Sequence, residues 1–403
     1  MTAANLTRLG PLALAAGAND SHEFSACAGE GVVRLQQRGA GGIRLLLNGE
    51  PIRVPDDDAS EIAVSLQPAN TLTVSTAAER GGGATTLRVT QQVEADLGLQ
   101  RQGYFGLNTC DMARQREFYK VLGFRGEIYP AGPETSTSFA RSMGFEDDYL
   151  IYVSLHSLID PPEMPFVDTV QFRGDSFRDE PPYAALNHLG MTYATYATTD
   201  LERDYDFLRA RGVEFLSAPA TAADGERFVF LREPDGAFWK LIQEGEPGAA
   251  AKTPNFTRLV NTNVNVADLE RSREFYRLLG FTESLPRSLQ AAGEVAAAHG
   301  FTQPIEFSGE DVSLGAGTDG ATLQLRQWRT PFDPAPPYAP PVNHLGIDRI
   351  NFYVDDLTAT IETMTQLGFR QLGPIGGWPQ LGIVFFFDPD GVKVQFAGPQ
   401  SDA

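Results

Sequence analysis

From about residue 99 to the C-terminus, apolar and polar positions fall in one recurring order. A run of alternating residues comes first, as in Leu259-Val260-Asn261-Thr262-Asn263-Val264-Asn265-Val266, and period-two alternation predicts a β-strand. An aspartate follows: Asp111, Asp200, Asp268 or Asp356. Its short side chain can accept from the free backbone N–H groups of a helix start, so each marks an N-cap. Apolar residues then recur at helical spacing, as in Phe275, Leu278 and Leu279, and a glycine closes the segment. Three β-type stretches complete each repeat. In the second and fourth repeats the last two are joined over Glu233-Pro234-Asp235-Gly236 and Asp388-Pro389-Asp390-Gly391, which read as hairpin turns. The pattern is βαβββ, written four times.

The repeats are visible in the residues themselves. Arg116-Glu117-Phe118-Tyr119 and Leu122-Gly123-Phe124 return as Arg273-Glu274-Phe275-Tyr276 and Leu279-Gly280-Phe281. Asn187-His188-Leu189-Gly190 returns as Asn343-His344-Leu345-Gly346. Pro181-Pro182-Tyr183 and Pro336-Pro337-Tyr338 join the first repeat to the second and the third to the fourth, and a Pro/Gly/Ala linker over 245–251 separates the halves. Residues before about 98 differ. Val32–Gln36, Ile43–Leu47, Ile62–Leu66, Thr71–Val74 and Thr86–Thr90 are short β-type runs. Asn48-Gly49, Pro68-Ala69-Asn70 and Gly81-Gly82-Gly83 are the turns between them, and Leu9–Ala18 reads as a first strand. That spacing predicts a small β-sandwich, a docking or stabilising module with no candidate chemistry. The expected domains are 1–98, 99–246 and 253–403.

These residues resemble the vicinal oxygen chelate superfamily, which includes glyoxalase I, extradiol dioxygenases and the bleomycin-binding proteins. The Asp-Leu–helix–Phe-Tyr–Leu-Gly-Phe signature and the Asp-Pro-Asp-Gly hairpin carry the resemblance over about residues 100–400. It implies an α+β fold in which two βαβββ repeats pair, so that their sheets curl into an open cup holding a metal or ligand. In metal-binding members the ligands come from the first strand of a repeat and from its last strand. Carried onto this chain, the first-strand positions are Tyr104, Tyr193, Asn261 and Arg349, and the last-strand positions are Asp168, Lys240, Gln324 and Gln395. None is a histidine or glutamate. A divalent oxygenase or glyoxalase site needs about three imidazole or carboxylate ligands, so no metal and no other cofactor is expected.

Pairing repeats in sequence order gives an N-terminal cup with Tyr104, Asp168, Tyr193 and Lys240. A lysine facing an aspartate perturbs both pKa values, and a tyrosine can donate to an oxyanion. These four are the catalytic candidates; a structural ion pair with tyrosine walls is the competing reading. The C-terminal cup would hold Asn261, Gln324, Arg349 and Gln395, suited to binding a carboxylate or carbonyl. His156 is expected to point into the first cup, as a substrate contact or base. His188 and His344 sit at matching entry turns and read as structural; His22 and His299 read as surface residues.

Composition narrows the partners. The 403 residues carry a net charge of −20, with 42% hydrophobic and 21% charged residues. Such acidity argues against nucleic acid and anionic membranes as partners. Two cysteines, Cys27 and Cys110, make no disulfide framework. A cytoplasmic setting is the default, and a homodimer is left open. The leading expectation is a metal-independent lyase, isomerase or cyclase acting on a small, fairly apolar, oxygenated molecule. The alternatives are a non-catalytic binder of the bleomycin-resistance type and a metal-dependent dioxygenase or glyoxalase with displaced ligands, drawn from His188 or His344.

Overall fold

The computed structural model describes the chain except residues 1, 14–17, 27, 39–42, 56–58, 77–83, 94–96, 131, 247–252, 315–321, 379 and 401–403. Cys27, the Gly81–Gly83 turn and most of the inter-half linker lie outside the described residues. The chain groups into two compact units: Met1–Leu97 with Glu274–Leu279 and Thr358–Arg370, and the remainder from Gly98 onward.

In the first unit, eight strands are Thr2–Ala13 (β1), Asn19–Ser25 (β2), Gly29–Arg38 (β3), Ile43–Leu47 (β4), Glu50–Ile52 (β5), Ala59–Leu66 (β6), Ala69–Thr76 (β7) and Ala84–Val93 (β8). They form two four-stranded sheets, ordered β1-β8-β3-β6 and β2-β7-β4-β5. Val33, Leu35, Leu87 and Val89 from one sheet share a core with Leu45, Leu47, Leu72 and Val74 from the other. The alternating apolar positions of β3, β4, β7 and β8 thus face inward, and the sandwich expected from the sequence is present.

The second unit carries the repeats apart from Glu274–Leu279 and Thr358–Arg370, which group with the first. The first repeat runs Leu99–Asn108 (β9), Met112–Leu122 (α1), Gly126–Ile128 (β10), Thr135–Thr137 (β11), Tyr149–Ser157 (β12) and Phe166–Arg173 (β13). The second runs Tyr193–Thr198 (β14), Leu201–Arg209 (α2), Glu214–Phe215 (β15), Ala220–Thr221 (β16), Arg227–Arg232 (β17) and Phe238–Gln243 (β18). The third runs Phe256–Asn265 (β19), Leu269–Leu278 (α3), Glu283–Ala291 (β20), Glu294–Ala298 (α4), Ile305–Ser313 (β21) and Thr322–Thr330 (β22). The fourth runs Gly346–Val354 (β23), Leu357–Gln366 (α5), Gly376–Trp378 (β24), Leu381–Phe387 (β25) and Lys393–Gly398 (β26). Asp111 and Asp200 accept from the backbone N–H groups of Arg114 and Arg203, as their cap positions require. Gly123 ends α1 at φ 93°, a left-handed value that a side chain resists.

The repeats do not pair in sequence order. One sheet runs β10-β12-β13-β9-β23-β26-β25-β24 and joins the first repeat to the fourth. The other runs β15-β17-β18-β14-β19-β22-β21-β20 and joins the second to the third. The seams are antiparallel: β9 against β23, and β14 against β19. Each seam is pinned by an asparagine. Asn108 donates to the carbonyls of Val342 and His344 at 2.8 and 2.7 Å, and Asn265 donates to those of Leu186 and His188, both at 2.6 Å. The sequence halves are tied by their hairpins instead. Asp235 meets Arg114 and Thr109 beside the start of α1, and Asp390 meets Arg271 and accepts from the Ala267 backbone at 3.0 Å.

Candidate functional site

Because β9 pairs with β23, the first cup is built from the first and fourth repeats. Across that seam Tyr104 lies opposite Asn351, which lies beside Gln395 on β26. Asp168 stands opposite Gly106 on β13. The result is an open cavity enclosing about 710 Å³, open solvent included, with Tyr104, Asp168, Arg349 and Gln395 among its lining residues. Its wall is apolar. Ile151 and Val153 come from β12, Val170 and Phe172 from β13, Ile383 from β25, and Phe139, Met143 and Trp378 stand with them. Side chains two apart on a strand share a face, so Tyr149, Ile151, Val153 and Leu155 all enter the cup.

An ion cluster sits at the polar end. Arg349 donates to Asp168 at 2.6 Å and to Asp348 at 2.7 Å. All three residues are buried. Room for the guanidinium exists because residue 106 is glycine: a Cβ there would lie 2.6 Å from Arg349 Cγ. Burial pushes the Asp168 carboxyl up; Arg349 pulls it back, and the balance remains above the ordinary carboxylate value. Burial raises Asp348 in the same way against the pull of Arg349 and Lys393. Burial alone would lower Arg349, but Asp348 and Asp168 outweigh it and hold the guanidinium charged. Beside the cluster, Gln395 Nε2 donates to the Tyr104 hydroxyl at 2.6 Å. Burial and the neighbouring Asp168 charge raise the Tyr104 phenol, so it stays protonated and able to donate.

The second cup, from the second and third repeats, holds the other four carried-over positions. Tyr193 donates to Gln324 at 3.0 Å. Lys240 pairs with Glu226 and lies 4.9 Å from the ring centre of Phe228. Asn261 is buried. This cup is packed: Tyr193, Phe228, Phe230, Phe238 and Trp328 share a core with Ala296 and Ala298 of α4. His299, expected at the surface, is buried beside them, 5.0 Å from Phe228 and 5.2 Å from Phe230. The short helix carries it inward, at the place in the third repeat that the 3-10 turn Ala140–Met143 takes in the first, so His299 corresponds to Met143 of the first cup.

The expected four-residue catalytic set is therefore divided. Tyr104 and Asp168 stand together, while Tyr193 and Lys240 stand in the other cup with Asn261 and Gln324. Arg349 and Gln395 take their places beside Asp168. The offsets within each repeat located the cup positions, but sequence order gave the wrong partners. His156 also differs from expectation. It alternates with Leu155, faces α1, and its ring lies 4.3 Å from that of Tyr119, so it does not contact the cup. Burial lowers its pKa to about 4. Asp348, Asn351, Tyr353 and Trp378 were not singled out as site residues. The adjacency of Asp348 and Arg349 was the one available signal, and nothing local said which way Asp348 turned.

His188 and His344 belong to the repeat junctions. His188 Nδ1 is 3.0 Å from Asp333, and its ring stacks on Tyr183 at 3.6 Å. His344 Nε2 is 2.8 Å from the Ala339 carbonyl, and its ring stacks on Tyr338 at 4.4 Å. Tyr183 and Tyr338 stack on each other at 4.6 Å, completing a row of four rings.

The family model for the Glyoxalase/Bleomycin resistance protein/Dioxygenase superfamily matches residues 101–241 and 258–396. The chain belongs to this superfamily. Among solved structures, glyoxalase I from Zea mays is 16% identical, with a TM-score of 0.50; the match covers 74% of this chain and 92% of that one. At that identity the superfamily fold is what the two share. A variant of 4-hydroxymandelate synthase from Streptomyces coelicolor is 15% identical over 76% of this chain and 95% of that one, and its TM-score of 0.26 carries no argument. Comparison with curated proteins finds no match. No described helix is long and apolar enough to cross a membrane.

Against the metal expected of metal-binding superfamily members, the donor set of the first cup does not fit. Its one lining carboxylate is held by Arg349, and a fixed guanidinium occupies one of the four positions. A divalent ion there would face that charge at close range. No group of three or more His, Cys, Asp or Glu side chains suited to a metal occurs among the described residues.

Proposed function

We propose that this protein is an enzyme that takes a small, largely apolar, oxygenated molecule into the first cup and acts on it by acid–base chemistry without a metal. The observation that carries the reading is the Asp168–Arg349 pair beside Tyr104 and Gln395 at the polar end of an apolar cavity. Asp168 uses one oxygen on Arg349; its other oxygen has no hydrogen-bond partner among the described residues and can take a proton from the ligand. Its raised pKa brings it toward the range in which a carboxyl both accepts and returns a proton. The Tyr104 O–H can donate to an oxygen that gains negative charge as that proton leaves. Arg349 orients Asp168 and balances its charge. These parts suit an isomerisation, elimination or ring closure.

The test is turnover of candidate carbonyl and hydroxyl compounds by protein dialysed against chelator. Retained activity that Asp168→Asn lowers by at least about 100-fold is expected. Activity that returns only on adding stoichiometric iron, manganese, nickel or zinc would end the metal-free reading. A second reading, sequestration without chemistry, is favoured by the fully paired Arg349 and the largely apolar wall. Tight binding with no turnover across the panel selects it.

A further inference from the structure

The charge balance of the first cup selects among oxygenated ligands. Asp168 and Arg349 are the charged side chains that line it, and they satisfy each other at 2.6 Å. The second amino group of Arg349 is held by Asp348 at 2.7 Å, and Lys393 stands behind Asp348 with its ammonium on the Tyr338 carbonyl. No cation is left over to receive an anion. A carboxylate ligand reaching Arg349 would have to displace Asp168 and strand that carboxylate in a buried site.

The hydrogen-bonding groups still unpaired are of a different kind. The second Asp168 oxygen has no partner among the described residues, and Gln395 Oε1 is buried without one although its amide nitrogen is bonded to Tyr104. Both are acceptors. The phenol proton of Tyr104 has no acceptor among the described residues, which adds one donor beside them. The Tyr353 hydroxyl lines the cup near Tyr104 and Asp168 and also has no partner among the described residues. A buried polar atom without a partner is costly, so these four groups define what a ligand must supply. A neutral hydroxyl supplies it, since it donates once and accepts at the same atom. Its carbon skeleton then lies against Ile151, Val153, Phe172 and Ile383.

We infer that the first cup takes an uncharged, hydroxyl-bearing apolar molecule, with the hydroxyl donating to Asp168 or Gln395 and accepting from Tyr104, and that it rejects the matching carboxylate. This rests on the first cup being the ligand site, as proposed above. Of the two groups expected for Arg349 and its neighbours, a carboxylate or a carbonyl, it excludes the carboxylate.

The experiment is calorimetric titration of the full chain at neutral pH with three probes on one skeleton: 2-naphthol, 2-methoxynaphthalene and 2-naphthoate. The expected order places 2-naphthol at least about tenfold tighter than either of the others, because one loses the donor and the other adds a charge. Asp168→Asn should narrow or reverse the gap to 2-naphthoate by freeing Arg349. The wild-type series decides the matter even if that variant does not fold. Naphthoate binding as tightly as naphthol overturns the neutral-ligand assignment and leaves the cup as a site. Methoxynaphthalene binding equally well overturns the hydroxyl donor. Ile151→Trp, its fold checked by circular dichroism, fills the cup and should abolish binding. Binding that survives it, or no binding of any probe to the wild type, overturns the cup reading together with the inference.

Discussion

Replacing Arg349 by methionine removes the one cation between two buried carboxylates. Asp168 and Asp348 lie 2.6 and 2.7 Å from the guanidinium, and side-chain exposure is 3% for Arg349 and Asp348 and 10% for Asp168. At such burial the solvent screens little, and loss of one partner of a buried pair costs about 3–5 kcal/mol. The cost depends on pH. Both carboxyls are raised in the folded state, by burial first, and without Arg349 they rise further. A carboxyl raised on folding adds stability below its unfolded pKa of about 3.9 and loses it as pH climbs through the folded value. The deficit of Arg349→Met should therefore be small near pH 4. It should grow by at most about 1.4 kcal/mol per pH unit for each carboxyl, and reach its full size by pH 8. Urea unfolding followed by tryptophan fluorescence measures it. Trp239, Trp328 and Trp378 are the three tryptophans of the chain and all lie in the second unit, so the sandwich does not contribute to the signal. Adding Asp168→Asn and Asp348→Asn to Arg349→Met removes the stranded charges and should recover most of the loss. A deficit under about 1 kcal/mol at pH 8 would refute the reasoning. So would one that does not shrink toward pH 5, or a triple variant no more stable than the single.

Three further outcomes are expected. Lys240→Met should leave 2-naphthol affinity within about twofold, because Lys240 stands in the second cup; a loss of binding would return it to the site. His299 and His156 are both lowered to about 4 by burial. Their contribution to stability is therefore present above pH ~6.5 and is lost as pH falls toward 4, by up to about 1.4 kcal/mol per unit each. His299→Leu should flatten the fall of urea midpoints between pH 6.5 and 4, and an unchanged slope would exclude a buried neutral imidazole beside Lys240. Gly376→Ala should cost about 1–3 kcal/mol and weaken naphthol binding, since a Cβ there would lie 2.6 Å from Phe139 Cβ and from Ser142 Oγ at the cup wall.

The fold was legible because each repeat writes its own strand, cap, helix and glycine within a few tens of residues. The cup positions came from the superfamily resemblance rather than from the pattern alone, and Tyr104, Asp168, Arg349 and Gln395 line one cavity. Which repeats share a sheet was not legible, because alternation in β9 says that the strand is half-buried and says nothing about whether β14 or β23 lies beside it. The choice is made at long range, where Asn108 reaches the turn before β23 and Gly106 makes room for Arg349. His156 was misplaced by a single step of strand parity, and His299 because the match of His299-Gly300-Phe301 to Met143-Gly144-Phe145 of the first repeat was passed over.

The seam between β9 and β23 sets the order in which the protein can become competent during its synthesis. Strands β14 through β22, the makings of the packed second cup, have all been synthesised before Arg349 exists. Tyr104 and Asp168 are made early and wait for partners near the end of the chain. A product stopped at residue 246 would hold both but neither Arg349 nor Gln395, and Asp168 would have no counter-ion. Premature termination or cleavage between the halves would therefore leave the N-terminal fragment with no complete first cup and with a sheet edge at β9 that lacks its neighbour.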